Sequence, residues 1–233
     1  MHVTVRTASK ALSSKEPGRI AALIRENVLA GAAPAVFATK QHVFFEGDEK
    51  DCVFLIEQGV LALYRTTAEG KRQVFGFGLP GDVIGLGAAQ VHSCNAQAIT
   101  SLEVRRLPTS SLNRLAAEDP DFALKLYQAV SSELEAARDL LMALSRHGAL
   151  ERVTIFLLTM SRRNALNGRN PALITLPMMR ADIADLLGVT METVSRCLSK
   201  LKKCRMIEII RYTTVQIIDM NGLNALLGRA TYH

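Results

Sequence analysis

The chain is poor in the residues and segments that mark several classes of protein. It contains no tryptophan and four cysteines, and none of its apolar runs approaches the roughly 18 residues that a membrane-spanning helix requires. The cysteines, at positions 52, 94, 197 and 204, are too scattered for the disulfide framework of a secreted domain. No secretory signal is recognisable. These absences predict a protein of a reducing cytoplasm that does not associate with membranes.

The motifs of the common enzyme classes are missing as well. There is no nucleophile elbow, P-loop or zinc-protease motif, and no carboxylate pair is spaced for acid–base chemistry. Asp48, Asp51 and Asp82 lie in candidate turns, where aspartate is a common turn former. We therefore expect no enzymatic activity and no catalytic residue.

The most informative segment that is present is Met179–Leu198, which predicts a helix-turn-helix and hence binding to DNA. Gly188 suits the turn because it adopts positive φ without steric cost, and Ala184 is small enough for two helices to cross closely. Thr190 is a natural N-cap for the second helix. The predicted core of the motif consists of Ile183, Ala184, Leu187, Gly188, Val189, Val194 and Cys197.

The second helix of this motif offers side chains that can read DNA bases. Arg196 can donate two hydrogen bonds to guanine, Glu192 can accept one from a cytosine amino group, and Ser195 pairs with several base edges. The alternative is an ordinary helical hairpin in which Glu192 and Arg196 form a surface pair. The predicted DNA-binding residues are Arg180, Thr190, Glu192, Thr193, Ser195, Arg196 and Lys200.

Basic residues and further short elements surround the second helix. The basic residues in and after this helix form a cluster that suits contacts with DNA phosphates. For the lysine pair alone, the alternative is a solvated helix end at which cations are favoured by the helix dipole. The cluster consists of Arg196, Lys200, Lys202, Lys203, Arg205 and Arg211. Met206–Ile210 and Thr214–Ile218 predict a two-stranded wing, and Leu223–Leu227 predicts a closing helix. With a helix at Glu151–Arg163, residues 149–233 predict a winged helix-turn-helix domain.

A long helix is predicted over residues 119–148, and it carries an apolar stripe. The spacing of the stripe is that of the a and d positions of a coiled coil; its members are Val130, Leu134, Ala137, Leu141 and Leu144. The stripe packs either on the preceding part of the chain or on a second copy. We favour a homodimer, because one helix-turn-helix reads only half of a two-fold symmetric site.

Residues 31–118 contain short β-rich runs separated by glycine turns, which predict a compact antiparallel roll or sandwich. The candidate strands are His42–Phe45, Val53–Ile56, Val60–Tyr64, Gln73–Phe77, Val83–Ile84, Ala96–Thr100 and Glu103–Leu107. Residues 1–30 precede them as a loose N-terminal arm with one short helix at Arg19–Leu29.

Several short motifs follow one another in a characteristic order along residues 30–228. In the roll they are Gly47-Asp48, Gly59, Gly70, Pro80-Gly81-Asp82 and Gly85, and further on they are Leu176-Pro177-Met178 and Asp182 to Arg196. Together with the order of β-roll, long helix and winged helix-turn-helix, they resemble the CRP/FNR family of bacterial transcription regulators. The resemblance implies an α+β fold: an antiparallel β-roll like the jelly roll that binds cyclic nucleotides, a dimerisation helix and a C-terminal winged helix-turn-helix.

Within that family, Glu192 to Arg196 resembles the Glu-x-x-Ser-Arg signature of FNR-type recognition helices. Members with this signature generally read a palindrome with half-sites near TTGAT. The resemblance therefore implies Arg196 on guanine, Glu192 near a cytosine of the opposite strand and Ser195 against a thymine. It further implies a homodimeric activator that binds a TTGAT-N4-ATCAA-like site on double-stranded promoter DNA and contacts RNA polymerase.

The common signals of the family each require particular residues. Members that respond to cAMP place a glutamate after the glycine-rich turn and an arginine further on, but 85–88 (Gly-Leu-Gly-Ala) and 94–97 (Cys-Asn-Ala-Gln) lack them. An iron–sulfur cluster needs about four converging thiolates, whereas no cysteine precedes Cys52. Haem needs an axial ligand, for which His42 and His92 are candidates by residue type alone.

The sequence thus predicts no cofactor, and it predicts no metal because Cys52, His92 and Cys94 match no common zinc spacing. It resembles most the FixK-like branch, which combines the FNR-type helix with the lack of cluster cysteines. A small-molecule-binding module is another interpretation, but it would need polar groups inside the roll, whose predicted interior is aliphatic and aromatic.

Control of the same regulator by an unidentified ligand, haem or thiol oxidation remains an alternative. Cys204 follows the recognition helix beside Lys202, Lys203 and Arg205, and cationic neighbours lower the pKa of a thiol. Oxidation of Cys204 would then disturb contact with DNA; an inert surface cysteine is the other interpretation. Cys197, by contrast, is expected to pack inside the helix-turn-helix.

Overall fold

Two four-stranded antiparallel sheets form the first of two units into which the chain divides. The structure is a computed structural model that describes residues 19–27, 31–87, 89–211 and 213–229. The first unit covers residues 17–132 and the second contains residues 133–233. The strands of the first unit are β1 (Ala33–Phe37), β2 (His42–Phe44), β3 (Cys52–Gln58), β4 (Leu61–Thr66), β5 (Arg72–Gly78), β6 (Val83–Ile84), β7 (Asn95–Ala98) and β8 (Leu102–Pro108).

The strand orders are β1-β8-β3-β6 in one sheet and β2-β7-β4-β5 in the other, and every pairing is antiparallel. Alternation along β3 explains how the roll packs. Phe54 and Ile56 belong to an apolar cluster that both sheets contribute to, while Val53 and Leu55 belong to a second cluster with the helices of this unit. The predicted antiparallel roll is confirmed, as is the α+β class.

Strand β1 was not predicted, because its sequence, Ala-Pro-Ala-Val-Phe, is rich in small residues and is interrupted by Pro34. A proline cannot donate a hydrogen bond to a neighbouring strand, so it is confined to sheet edges. β1 is such an edge strand, and it pairs with β8 alone. Pro34 is therefore compatible with the strand even though it weakens the sequence pattern.

Within the predicted arm, the described residues form one helix, α1 (Arg19–Asn27). Its apolar side chains are at most 7% exposed and pack in the cluster that contains Val53 and Leu55; they are Ile20, Ala21, Leu23 and Ile24. The predicted short helix is therefore confirmed over its described residues, and the spacing of these side chains gives it an apolar face that packs in the core. The rest of the predicted arm, residues 1–18 and 28–30, lies outside the described residues.

Helical structure also begins earlier than predicted, with α2 (Thr109–Glu118), which is followed by the long helix α3 (Pro120–Arg146). The polar start of α2 conceals it in the sequence, yet Leu112 anchors it in the core. Asp119 separates the two helices, and its Oδ1 accepts hydrogen bonds from the backbone N–H of Asp121 and of Phe122 at 2.9 and 3.0 Å.

The apolar stripe of α3 is exposed where its side chains are described. Val130 is 44% exposed, Leu134 50% and Leu141 67%, and Ala137 is exposed as well. The side chain of Leu144 lies outside the described ones. Tyr127, which is 70% exposed and three residues before Val130, continues the same spacing toward the N-terminus. A single chain therefore leaves these apolar side chains open to solvent.

The second unit combines four further helices with a small sheet. Its elements after α3 are α4 (Ala149–Leu166), β9 (Leu173–Thr175), α5 (Arg180–Leu187), α6 (Met191–Lys203), β10 (Ile207–Arg211), β11 (Thr214–Ile217) and α7 (Met220–Arg229). The predicted wing forms, but its sheet has three strands in the order β10-β11-β9. β9 was missed because three residues are too few to show a period, and it pairs with β11 over Thr214–Gln216. No helix among the described residues combines the length and apolar content needed to span a membrane.

Candidate nucleic-acid interface

Two helices joined by a tight turn form the centre of the candidate interface. α5 ends at Gly188, which has φ +63° and ψ +42°, a left-handed conformation that favours glycine. The N–H of Gly188 bonds back to the carbonyls of Ala184 and Asp185, and the N–H of Val189 donates to the Ala184 carbonyl at 3.0 Å. Only three residues thus connect α5 to α6.

The N-terminus of α6 is closed by a side-chain cap. The Oγ1 of Thr190 accepts a hydrogen bond from the N–H of Thr193 at 3.2 Å and lies 3.0 Å from the Thr193 hydroxyl. Such a cap satisfies one of the N–H groups that the first turn of a helix leaves without a partner. It places Met191 and Glu192 in the first turn, where base-reading residues of a recognition helix lie.

One face of α6 is buried and the other is open to solvent. The buried face contains Val194, Cys197, Leu198 and Leu201, none more than 8% exposed. The open face brings together the predicted contact residues Glu192, Ser195, Arg196 and Lys200, all of them exposed. Arg180 lies instead at the start of α5, is half-buried and has partners of its own. The structure therefore groups four of the seven predicted DNA-binding residues on one face of α6, with two threonines at its cap.

The core beneath this face is apolar. Ile183, Ala184 and Leu187 of α5 are at most 3% exposed, whereas Val189 in the turn is half-buried. Burial raises the pKa of the Cys197 thiol, so this sulfur stays protonated and packs as a small apolar group. The two helices are therefore held together by apolar contacts between their facing sides.

The charge distribution of α6 suits a recognition helix. A hydrogen bond from its own backbone N–H, then one from the Thr190 side chain and, to a smaller degree, the charge of Arg196 lower the pKa of the Glu192 carboxyl. This carboxylate is thus an acceptor fixed at the helix start. Lys200, Lys202 and Lys203 lie in the last turn, where cations interact favourably with the helix dipole.

Cys204 ends α6 and lies in an exposed position. Its N–H donates to the carbonyl of Lys200 at 3.0 Å. Arg205 follows with φ +56°, a conformation that non-glycine residues seldom adopt, and its N–H bonds to the Lys202 carbonyl at 2.9 Å. The chain turns at this point from α6 into β10, so the thiol lies at the end of α6 opposite to Glu192 and Ser195.

One residue that the sequence did not single out touches the motif. Arg152, in the first turns of α4, donates from Nη1 to the carbonyl of Leu187, the last residue of α5, at 3.0 Å. No local pattern marks this contact, because 35 positions separate the two residues. It could not have been predicted from spacing within the motif.

The histidines considered as haem ligands both have other contacts. His92 is 3% exposed, and its ring lies parallel to that of Phe44 with 3.6 Å between the centroids. His42 has its Nε2 2.8 Å from the Tyr64 hydroxyl and stacks on Phe45 at 4.3 Å. Burial, more than the nearby charges, lowers the pKa of both imidazoles.

A cavity of about 330 Å³ lies in the roll. Its lining combines phenylalanines with Asp48, Glu49, Asp51, His92 and Arg106. The guanidinium of Arg106 already has partners within the protein, since its Nη2 lies 3.9 Å from both an Asp51 carboxylate oxygen and the Cys52 sulfur. Three carboxylates against one guanidinium make this lining unfavourable for an anionic phosphate.

Comparison with known proteins agrees with this architecture. Residues 151–226 match the family described as Crp-like helix-turn-helix domain, and residues 34–119 match the family described as cyclic nucleotide-binding domain. The nitrogen fixation regulation protein FixK of Azorhizobium caulinodans is 34% identical over 85% of this chain and 81% of its own length. The fumarate and nitrate reduction regulatory protein of Escherichia coli is 33% identical over 77% of this chain and 73% of its own length.

Among solved structures, FixK2 from Bradyrhizobium japonicum superposes with a TM-score of 0.77 at 34% identity, covering 84% of this chain and 96% of that one. These relatives are transcription regulators and not enzymes. The roll and the helix-turn-helix domain therefore each have counterparts among these relatives. The chain belongs to the CRP/FNR family, as a transcription regulator of the FixK/FNR type with a helix-turn-helix DNA-binding domain.

Proposed function

We propose that this protein is a homodimeric activator of transcription that reads a palindrome close to TTGAT-N4-ATCAA. The observation that carries the proposal is the open face of α6, on which Glu192, Ser195 and Arg196 are exposed within the first two turns of a capped helix. The proposed location is the cytoplasm, and the proposed partners are double-stranded DNA, a second copy of the chain and RNA polymerase.

The three side chains divide the reading of one half-site among them. Arg196 donates two hydrogen bonds to the O6 and N7 of guanine, Glu192 accepts one from the cytosine amino group, and Ser195 lies against a thymine. The pKa of Glu192 is lowered by its hydrogen bonds at the helix start, which favours the ionised carboxylate that accepts from cytosine. Lys200 and the cations after it hold phosphates, which fixes the register but carries no sequence information.

The exposed stripe of α3 supports the dimer. Apolar side chains at a/d spacing that remain exposed in one chain are stabilised when the same helix of a second copy covers them. A two-fold axis along this seam then presents two α6 helices to the two halves of a palindrome, about one helical turn apart. A dimer would therefore cover the stripe and match the two-fold symmetry of the proposed site.

The test is a titration of fluorescently labelled TTGAT-N4-ATCAA duplex with the purified protein, with and without cAMP. Arg196→Ala removes one bidentate contact per half-site, which costs about 1–3 kcal/mol for each. The matched control is Arg114→Ala, which removes the same charge from an exposed position on α2. Tight binding without ligand that Arg196→Ala abolishes and Arg114→Ala preserves is the expected result.

Equal weakening by both variants would contradict base reading, because it would show attraction of net charge alone. Equal affinity for a duplex with scrambled half-sites would contradict the palindrome. Activation is tested by transcription in vitro from a promoter that carries the site, with RNA polymerase present and the protein added or withheld. A lower transcript yield on addition of the protein would make it a repressor.

A further inference from the structure

A single guanidinium joins two parts of the second unit that are distant in sequence. The Nε of Arg152 donates to the carbonyl of His147 at 3.0 Å, and its Nη1 donates to the carbonyl of Leu187 at 3.0 Å. His147 follows the end of the long helix α3, whereas Leu187 ends α5. The side chain thus spans the start of the DNA-binding domain and the turn of the helix-turn-helix.

Both acceptors are carbonyls at helix ends. The last four carbonyls of a helix have no partner within it, and the C-terminus of a helix carries a partial negative charge. Gly188 turns the chain in the left-handed conformation and donates its N–H to the carbonyls of Ala184 and Asp185. The Leu187 carbonyl accepts a hydrogen bond from Arg152. A cation is the favoured donor at such a position.

The guanidinium also lies close against the turn. A Cβ placed on Gly188 would come within 3.4 Å of the Arg152 Nη1. Since a displaced guanidinium would lose its bond to Leu187, the position of the turn and that of Arg152 depend on each other. The half-buried Arg152 is itself fixed on α4, where its N–H donates to the Gly148 carbonyl at 3.0 Å.

The two contacts require the geometry of arginine. Its planar fork directs separate N–H groups at two acceptors at once, whereas the ammonium of lysine is one compact charge at the end of a flexible stem. Lysine at position 152 would keep the charge and part of the apolar stem but would not hold both carbonyls. Arg152→Lys therefore separates positioning from simple neutralisation of the helix end.

We infer that Arg152 is a positioning residue that fixes the helix-turn-helix relative to the end of the long helix, and thereby sets the spacing of half-sites that a dimer accepts. This inference rests on the proposed function. Changing the spacer by one base pair moves the half-sites apart by about 3.4 Å and rotates them by about 35° around the duplex. A dimer whose reading helices are held rigidly discriminates against such changes, and one whose reading helices are loosely held does not.

The experiment measures affinity for duplexes with spacers of three, four and five base pairs between TTGAT half-sites. We expect wild type to prefer the four-base-pair spacer by at least about tenfold, which is about 1.4 kcal/mol. We expect Arg152→Lys to reduce this preference to less than about threefold, chiefly by weakening the four-base-pair complex. Ser195→Ala, which removes a base contact, is expected to weaken all three complexes by one common factor and to keep their ranking.

Thermal unfolding of each variant accompanies the titrations, because a merely structural role would lower the melting temperature without changing the ranking of spacers. Arg152→Gln is a second variant, which removes the charge as well. If Arg152→Gln does not fold, the spacer preference of Arg152→Lys alone decides the question. An unchanged spacer ranking in Arg152→Lys would overturn the positioning role and leave the proposed function intact. Failure of wild type to bind any palindrome would overturn both.

Discussion

The two units of this protein differ in whether the polar side chains considered for binding are exposed or buried. In the second unit, Glu192, Ser195 and Arg196 lie exposed on a helix whose other face is buried. In the roll, the polar His92 is buried against Phe44 and its charged form is disfavoured. Each unit matches its own family model, the cyclic nucleotide-binding domain for the roll and the Crp-like helix-turn-helix domain for the second unit.

The difference shows that a fold and its site are separable. The roll matches a cyclic nucleotide-binding family over residues 34–119, yet residues 94–97 lack the arginine that the resemblance to cAMP-responsive members would imply there. The roll's core needs only apolar strands and glycine turns, which this sequence retains. Recognition needs particular side chains at particular positions, and these can be lost without loss of the fold.

The largest effect is expected from the stripe of α3 that would pair two copies of the chain. Leu134→Glu should convert the protein to a monomer and weaken binding to the full palindrome by at least about a hundredfold, because two unpaired charges would be desolvated in the seam. Sedimentation and titration of labelled duplex measure the two effects. Gln128→Glu, an equally acidic exposed change on another face of α3, should leave both unaltered. A Leu134→Glu protein that stays dimeric would show that the stripe is not the interface.

A smaller loss is expected when the cap of the reading helix is removed. Thr190→Ala deletes the acceptor for the Thr193 N–H and should lower the free energy of unfolding by about 1 kcal/mol. Thr190→Ser keeps the acceptor and should restore most of that loss. Chemical denaturation followed by circular dichroism measures both variants. Equal stability of alanine and serine at this position would mean that the cap does not hold α6.

The roll should respond to acid through its buried imidazole, unlike the reading helix. Because the pKa of His92 is lowered on folding, the native state favours the neutral ring, and the unfolded chain takes up the proton first. The associated stability is fully present above the ordinary pKa of histidine, about 6.5, and is lost as the pH falls from there through the folded-state pKa.

Melting temperatures measured from pH 8 down to pH 5 test this difference. His92→Phe can keep the stack on Phe44 without a titrating group, so its melting temperature should fall less with acidification than that of wild type. His42→Phe is the comparison variant. It removes another imidazole whose pKa is lowered, but unlike His92→Phe it also removes a side-chain hydrogen bond, the one between His42 and Tyr64. Identical slopes in His92→Phe and wild type would place the acid sensitivity elsewhere.

Sequence reasoning succeeded where the pattern is local and failed where it depends on distant partners. Gly188 and Thr190 lie within the twenty-residue motif whose helices they join, so spacing alone indicated the turn and its cap. β1 and β9 are held by β8 and β11, which are far away in the chain, and their own residues give a weak signal. Arg152 is the same case at the site, since its role depends on a carbonyl 35 positions away.

The smallest expected effect is that of cAMP on the roll. A ligand that binds only the native state raises stability by RT ln(1 + [L]/Kd), so a site with a Kd near 10 µM would add about 2.7 kcal/mol at 1 mM ligand. We expect no measurable change in melting temperature at that concentration, because 94–97 offers no arginine and the cavity is lined by more carboxylates than cations. Thermal unfolding with and without cAMP, with AMP as the control for weak anion binding, measures this directly. A shift specific to cAMP would mean that other residues hold the phosphate and that the roll, like the second unit, presents side chains suited to a partner.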